Sequence, residues 1–332
     1  MKETRARIAL LLGDPAGIGP EIVVKALSGP EAASDAKVTV IGDSRVFSMG
    51  QAHAGTTLAL PTFDRWEDAE RASFDVVFFD LPGAPPDEYT SGRVSAAAGR
   101  ATLESMAFAA ELAARADVDA IVYAPLNKHA LRLGGSPFND ELHYFADRLG
   151  STGPCGELNV LDDLWTARVT SHVAIRDVSD LVTSDRVFDT LVLADAALRR
   201  AGRKAPRIAV SALNPHAGEG GLFGHEEQTA IAPGIERART GGIAVDGPFP
   251  ADTIFLNARA AGYDGVVSMY HDQGQIATKL LGFDRGVTVL GGLPIPVATP
   301  AHGTAFDIVG NGTANPQALL KALSLAARMG SA

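Results

Sequence analysis

The chain has 332 residues, 46% of them hydrophobic, which is enough for one large or two medium α/β domains. A net charge of −10, with no lysine- or arginine-rich block, disfavours nucleic acid, whose phosphates need a basic face. The apolar runs are strand-sized, so neither a membrane span nor a signal peptide is expected, and a single cysteine, Cys155, excludes an intrachain disulfide and fits a reducing cytoplasm.

Strand and helix patterns alternate along nearly the whole chain. Met1 to Arg5 run straight into an apolar strand at 7–13, followed by a turn and a helix from about Pro20 to Leu27. Strands follow at 37–43 and 74–80. An alanine-rich helix at 95–116 opens at Ser95, and another strand occupies 118–125. Residues 179–202 read as one or two helices and 226–242 as a helix closed by glycines. Residues 316–329 read as an amphipathic helix with Pro316 at its first position. Alternation of this kind predicts an α/β fold with helices on both faces of a mixed sheet.

Three histidines follow three further strand-like runs, 167–171, 207–213 and 264–270. They are His172 in T-S-H, His216 in N-P-H-A-G-E-G and His271 in M-Y-H-D-Q-G. A strand that ends near a histidine and then turns delivers an imidazole to the carboxyl edge of a sheet, where open α/β sheets bind ligands. Three imidazoles converging there would make a catalytic divalent-metal site with a position left open. Imidazoles suit zinc, cobalt, nickel and other ions alike. Asp272, beside His271, is placed to orient that ring. His53, His129 and His225 read as surface or helix-cap residues, and Cys155 as incidental.

Two glycine-rich loops stand out. G-D-P-A-G-I-G-P-E at 13–21 departs from the G-x-G-x-x-G spacing of a dinucleotide fingerprint, so a tight strand-to-helix turn competes with a cofactor loop. H-G-T-A-F-D-I-V-G-N-G-T-A-N-P at 302–316 places His302 and Asp307 around backbone that can approach a ligand closely.

The second loop resembles the adenine-side loop of the isocitrate and isopropylmalate dehydrogenases, and the first resembles their G-D-G-I-G-P-E opening. A closer resemblance is to the 4-hydroxythreonine-4-phosphate dehydrogenase (PdxA) family. It is carried in order by 13–21, N-P-H-A-G-E-x-G-x-x-G-x-E-E at 214–227, G-P-x-x-A-D-T-x-F at 247–255, H-D-Q-G at 271–274 and H-G-T-A at 302–305. The resemblance implies two α/β domains with mixed sheets, isopropylmalate dehydrogenase-like, and an active site in the cleft between them. The expected bounds are 1–128 plus 303–332 for the cofactor side, and 129–302 for the metal ligands and dimer interface. It also implies a homodimer with shared active sites and one divalent metal held by His172, His216 and His271. NAD or NADP would lie on Gly292, His302, Gly303, Thr304, Ala305, Asp307 and Asn315.

The implied reaction oxidises a secondary alcohol β to a carboxylate, and the 3-oxo acid then loses CO₂. Lys279 would neutralise the carboxylate or alkoxide, Asp252 or Lys128 would relay a proton, and Asp14 matches a recurrent polar position. A metal-dependent hydrolase or lyase without nicotinamide is the alternative from another class.

The substrate positions depart from the family. Its G-H-T-E is replaced within P-F-N-D-E-L-H at 137–143, so Glu141 and Leu142 stand for the substrate-contacting His and Thr, and His143 for the Glu. Thr288 replaces a substrate-binding Asn and Val297 an Arg, and only Lys279 survives. Arg is the natural bidentate partner of a phosphate. The changes therefore predict a non-phosphorylated hydroxy acid, such as a carboxylated dihydrodiol, with authentic 4-hydroxythreonine-4-phosphate dehydrogenase as the alternative. Arg132, Arg176 or Arg285 could supply the missing charge from elsewhere.

Overall fold

The computed structural model describes residues 5–29, 35–282 and 285–331, so Met1 to Thr4, read above as leading into the first strand, lie outside it. In chain order the chain forms β1 (Ala6–Leu11), α1 (Gly19–Leu27), β2 (Ala36–Gly42), α2 (Ser44–Ala54), β3 (Thr62–Phe63), α3 (Trp66–Arg71) and β4 (Val76–Asp80). Next come α4 (Ala96–Ala114), β5 (Ala120–Tyr123), α5 (Lys128–Leu133), α6 (Glu141–Arg148), β6 (Gly156–Leu161), β7 (Leu164–Arg168), α7 (Val178–Leu181) and α8 (Ser184–Arg200). The remainder is β8 (Arg207–Ser211), α9 (Ala232–Thr240), β9 (Ala244–Phe249), α10 (Ala251–Asn257), β10 (Gly265–Ser268), α11 (His271–Gly282), β11 (Val287–Gly291), β12 (Val297–Pro300) and α12 (Gln317–Gly330).

The chain divides into two compact units, Met1–Thr152 with Leu293–Ala332, and Gly153–Gly292. Residues 129–152 and 293–302, assigned from the sequence to the second domain, cluster with the first. The reason is local: α5 and α6 pack on α4, and β12 pairs with β5 in parallel.

In the first unit the strand order is β3-β4-β2-β1-β5-β12, all parallel. β1 reads Ala-Arg-Ile-Ala-Leu-Leu and is buried on both faces, as expected of a parallel strand covered by helices on each side. Ser95 caps α4 by accepting the amide of Ala98, as its position predicts. Pro316 is the residue before α12 rather than its first, a shift of one position at a helix end.

The second unit is ordered β11-β6-β7-β10-β8-β9. β11, β6 and β7 are antiparallel neighbours, whereas β7, β10, β8 and β9 run parallel. The β6–β7 hairpin thus supplies the mixing of strand directions. Among the described residues, no helix is long and apolar enough to cross a membrane.

Candidate active site

The three predicted histidines leave the carboxyl ends of three adjacent parallel strands. His172 follows β7, His271 follows β10 and His216 follows β8. Thr170 ties the first loop to the second: its amide and hydroxyl both donate to the Met269 carbonyl, at 3.0 and 2.8 Å. The His172 and His271 rings therefore lie 5.5 Å apart, centroid to centroid.

His271 opens α11, and its Nδ1 lies 2.7 Å from Asp272 Oδ1. A proton donated from Nδ1 to that carboxylate leaves Nε2 with the lone pair a metal requires. Each other member of H-D-Q-G has a structural task. Gln273 accepts the Met269 amide and donates to the Ala212 carbonyl, pinning the ends of β10 and β8 together. Gly274 passes so close to Ser268 that a Cβ there would sit 2.8 Å from its hydroxyl.

His216 lies in an unusual backbone. Residues His216 to Gly220 are five consecutive left-handed residues, with φ between 43° and 79°, and three of them are not glycine. Such a run is costly and persists only when its surroundings hold it. The clamp is Glu227, buried behind the loop. Its Oε1 accepts the amides of Leu213 and Asn214, at 2.9 and 2.7 Å, while Oε2 accepts the Asn214 amide side chain. The His216 ring lies 6.2 Å from Phe223. Among the described residues, no three ligating side chains of one chain group closely enough to hold a metal. The chain therefore brings two of the three expected imidazoles together, with the tautomer control a metal needs, and does not group the third with them.

Asp252 sits exposed in the first turn of α10 and lines a groove of about 430 Å³ with Phe255, Tyr270, Asp272, Ile276 and Leu280. Lys279 is exposed two turns along α11 from His271.

In the first unit the two glycine loops hold each other. The Ile18 amide donates to the Thr304 carbonyl at 3.1 Å, and a Cβ on Gly17 would come within 2.9 Å of the Thr304 side chain. Glu21 is completely buried, accepts the Ala314 amide at 3.0 Å and pairs with Lys25 at 2.7 Å. Lys25 in turn donates to the Gly312 and Ala314 carbonyls. The 13–21 motif is thus the brace of the 302–316 loop, which decides for the tight-turn use of its glycines. Within the braced loop His302 is half-buried, Gly303, Asp307 and Asn315 are exposed, and Thr304 is buried. Ala305 adopts a φ of +42°, and Asn315 accepts the Gln317 amide at the start of α12. Gly292 is exposed in the second unit. Asp14 is buried at the end of β1 with Oδ2 unpartnered, and burial pushes its carboxyl up to about 6.

Except for His143, the diverged substrate positions are buried. Glu141 opens α6, is buried, and lies 3.6 Å from the Nζ of Lys128, the first residue of α5. Leu142 is buried. His143 is exposed and bonded to Asp140 through both its amide and its Nδ1. Thr288 is buried in β11, where its hydroxyl accepts from Asn159 at 3.0 Å. Val297 is completely buried in β12 and presents no surface to a ligand as it stands. The alternative cations are engaged with Asn139 for Arg132, Asp177 for Arg176 and Asp162 for Arg285.

Sequence reading missed three residues, Asn159, Arg168 and Gln275, and held Glu227 only as the last residue of the 214–227 motif. Glu227 supports the His216 loop, and the bonds of the other three join β6, β7, β11 and α11, which no single motif contains. The only signal was polar alternation, Glu157 and Asn159 along β6 and Thr166 and Arg168 along β7.

The family model "Pyridoxal phosphate biosynthetic protein PdxA" matches residues 34–326. A relative named "Putative 4-hydroxythreonine-4-phosphate dehydrogenase 2" from Pseudomonas aeruginosa is 50% identical, covering 98% of this chain and 97% of its own. The crystal structure of 4-hydroxythreonine-4-phosphate dehydrogenase from Klebsiella pneumoniae is 36% identical, covers both chains fully and has a TM-score of 0.87. A terephthalate 1,2-cis-dihydrodiol dehydrogenase from Burkholderia xenovorans LB400 is 30% identical over 97% of this chain and 98% of that one, with a TM-score of 0.67. A β-decarboxylating dehydrogenase from Thermococcus kodakarensis, at 15% identity over 96% and 82% of the two chains and a TM-score of 0.52, shows the shared fold alone. The relatives are dehydrogenases, which removes the hydrolase or lyase alternative. The chain belongs to the PdxA family and is an oxidoreductase acting on a CH–OH group.

Proposed function

We propose that this dehydrogenase oxidises the secondary alcohol of a non-phosphorylated β-hydroxy acid, such as a carboxylated cis-dihydrodiol, to a 3-oxo acid that then loses CO₂. The single observation that carries the substrate choice is the Lys128–Glu141 pair. An ammonium that could meet an anionic substrate is here matched by a carboxylate. The buried Val297, standing at an arginine position, removes a second phosphate partner.

His172, His216 and His271 make one metal set, completed when two copies of the chain associate. The observations that fit it are the 5.5 Å ring pair and the carboxylate on His271 Nδ1. A bound divalent ion would polarise the substrate hydroxyl, and NAD or NADP on the 302–316 loop and Gly292 would take the hydride. The chain's own residues do the rest. Asp272 keeps the His271 tautomer, Lys279 neutralises the substrate carboxylate, and Asp252 or Lys128 moves the alcohol proton. Leu142 and His143, which follow Glu141 in the first turn of α6, complete the proposed substrate positions.

A homodimer is supported by the apolar face of α10 and α11, where Leu256, Ile276 and Leu280 are exposed together around the groove. The lone Cys155 fits a reducing cytoplasm.

A second reading, 4-hydroxythreonine-4-phosphate itself, is favoured by the name of the 50% identical relative. The test is NAD(P)H formation by metal-loaded protein on that phosphate beside unphosphorylated β-hydroxy acids and carboxylated dihydrodiols. Turnover confined to the unphosphorylated compounds is expected, and efficient turnover of the phosphate would overturn the substrate choice.

A further inference from the structure

A buried polar cluster lies on the face of the second unit's sheet that α11 covers. Arg168, at the end of β7, keeps only 7% of its side chain exposed. Its guanidinium pairs with Glu157, donates from Nε to the Ser171 hydroxyl at 3.0 Å and from Nη1 to Asn159 Oδ1 at 2.8 Å. Asn159 Oδ1 also accepts from Gln275 Nε2 at 2.7 Å, and Asn159 Nδ2 donates to Thr288 Oγ1 at 3.0 Å. Apart from Thr288, expected above to face the substrate, nothing in the chemistry described above uses this cluster.

Its polarity runs one way, and Arg168 sets the direction. A guanidinium has donors only, so the Asn159 oxygen must face it. That oxygen then requires the NH₂ of Gln275, and the Asn159 amide nitrogen is left to donate to Thr288. With its oxygen occupied as an acceptor, the Thr288 hydroxyl keeps its proton for an acceptor elsewhere. The cluster also reaches both halves of the imidazole pair. Ser171 immediately precedes His172, and Gln275 sits one helical turn after His271 on α11.

We infer that Arg168, acting through Asn159, Ser171 and Gln275, is a positioning residue that places the His172–His271 pair and turns the Thr288 hydroxyl into a donor for a substrate oxygen. This role rests on the reading of the two histidines as metal ligands. Burying an ionic cluster rarely adds stability over an apolar replacement, so its use here is to select one arrangement.

Two variants test it beside the wild type and a His271→Ala control. In Glu157→Gln/Arg168→Met both charges go together, so no lone buried charge remains. In Asn159→Asp the amide donor to Thr288 is replaced by an acceptor at nearly constant shape, which forces the Thr288 proton back into the cluster. Melting temperature, Co²⁺ affinity by titration of the visible absorption, and KM and kcat on whichever of the phosphate and the carboxylated dihydrodiol the wild type oxidises are read for each.

The expected result for the double variant is a melting temperature within a few degrees of wild type and Co²⁺ affinity about 10- to 100-fold weaker, the size of effect that partners of metal ligands have. Asn159→Asp is expected to raise KM about tenfold, one hydrogen bond's worth, at unchanged Co²⁺ affinity. Wild-type Co²⁺ affinity and KM in both variants would overturn the positioning role while leaving the metal reading intact. Co²⁺ affinity unaltered by His271→Ala would overturn the ligand reading and this role with it.

Discussion

The Nζ of Lys128 stands 3.6 Å from Oε2 of Glu141, a carboxylate whose side chain is nine-tenths buried. Asn127 starts α5 at Lys128 by capping the Ala130 amide, and Asp140 starts α6 at Glu141 by capping the His143 amide. Two helix starts thus set the two charges against each other. Glu141→Gln keeps the shape and removes the negative charge 3.6 Å from the ammonium. Its kcat/KM for 4-hydroxythreonine-4-phosphate, relative to the unphosphorylated acid, is expected to rise about five- to tenfold. An unchanged ratio would show that the pair plays no part in substrate choice.

Glu227 accepts two backbone amides and the Asn214 side chain behind the left-handed run that carries His216. Glu227→Ala takes the acceptor from the part-buried amides of Leu213 and Asn214, while the Asn214 side chain keeps Glu226 at 2.7 Å. Denaturant unfolding should show a loss of roughly 2–4 kcal/mol at unchanged m-value, and turnover should fall with it as His216 loses its support.

Asp14 gives a pH signature. Its carboxyl is raised to about 6 by burial, above its unfolded value, so the native state binds the proton more tightly. Below about pH 4 the group is protonated in both states and carries no penalty. As pH rises through 6 the native state must hold a buried charge, and stability falls by roughly 3 kcal/mol at most. Asp14→Asn should therefore melt higher than wild type at pH 7.5, with the difference shrinking toward pH 4. A constant difference across that range would show that Asp14 is not the group responsible.

The Glu21–Lys25 pair braces the 310–316 segment through the Ala314 amide and the Gly312 and Ala314 carbonyls. Glu21→Gln/Lys25→Met removes both charges together and avoids stranding one in the core. The expected effect is a three- to tenfold rise in KM for the nicotinamide with kcat nearly unchanged, the pattern of lost uniform binding. Loss of kcat alone would argue that the loop does not carry the cofactor.

Much of the architecture was legible because its cause is local. β1, β2, β4, β5, β8 and β10 announce themselves as apolar runs bounded by turn residues, and α4 as an alanine-rich run behind a serine cap. The strand-then-histidine pattern put His172, His216 and His271 at one carboxyl edge before any coordinate was known. The domain limits were less legible. Residues 129–152 and 293–302 go to the first unit through α5 and α6 packing on α4 and β12 pairing with β5, contacts between segments far apart in sequence.

The substrate positions show the same divide. Resemblance to the family's motifs marked Glu141, Thr288 and Val297 as departures, but not what each departure touches. Val297 is sealed in the sheet, Thr288 is turned by Asn159, and Glu141 is matched to Lys128.

By itself, then, the sequence determined the family, the α/β alternation and which residue types could carry the chemistry, because periodicity and short motifs are local properties of the chain. Tertiary structure alone decided which of those groups meet. It drew His172 and His271 together through Thr170 and Met269, and it ran a line of hydrogen bonds from Arg168 to Thr288 across strands β7, β6 and β11. Donor–acceptor pairing between side chains more than a hundred residues apart depends on sheet register, and no window along the chain contains both partners.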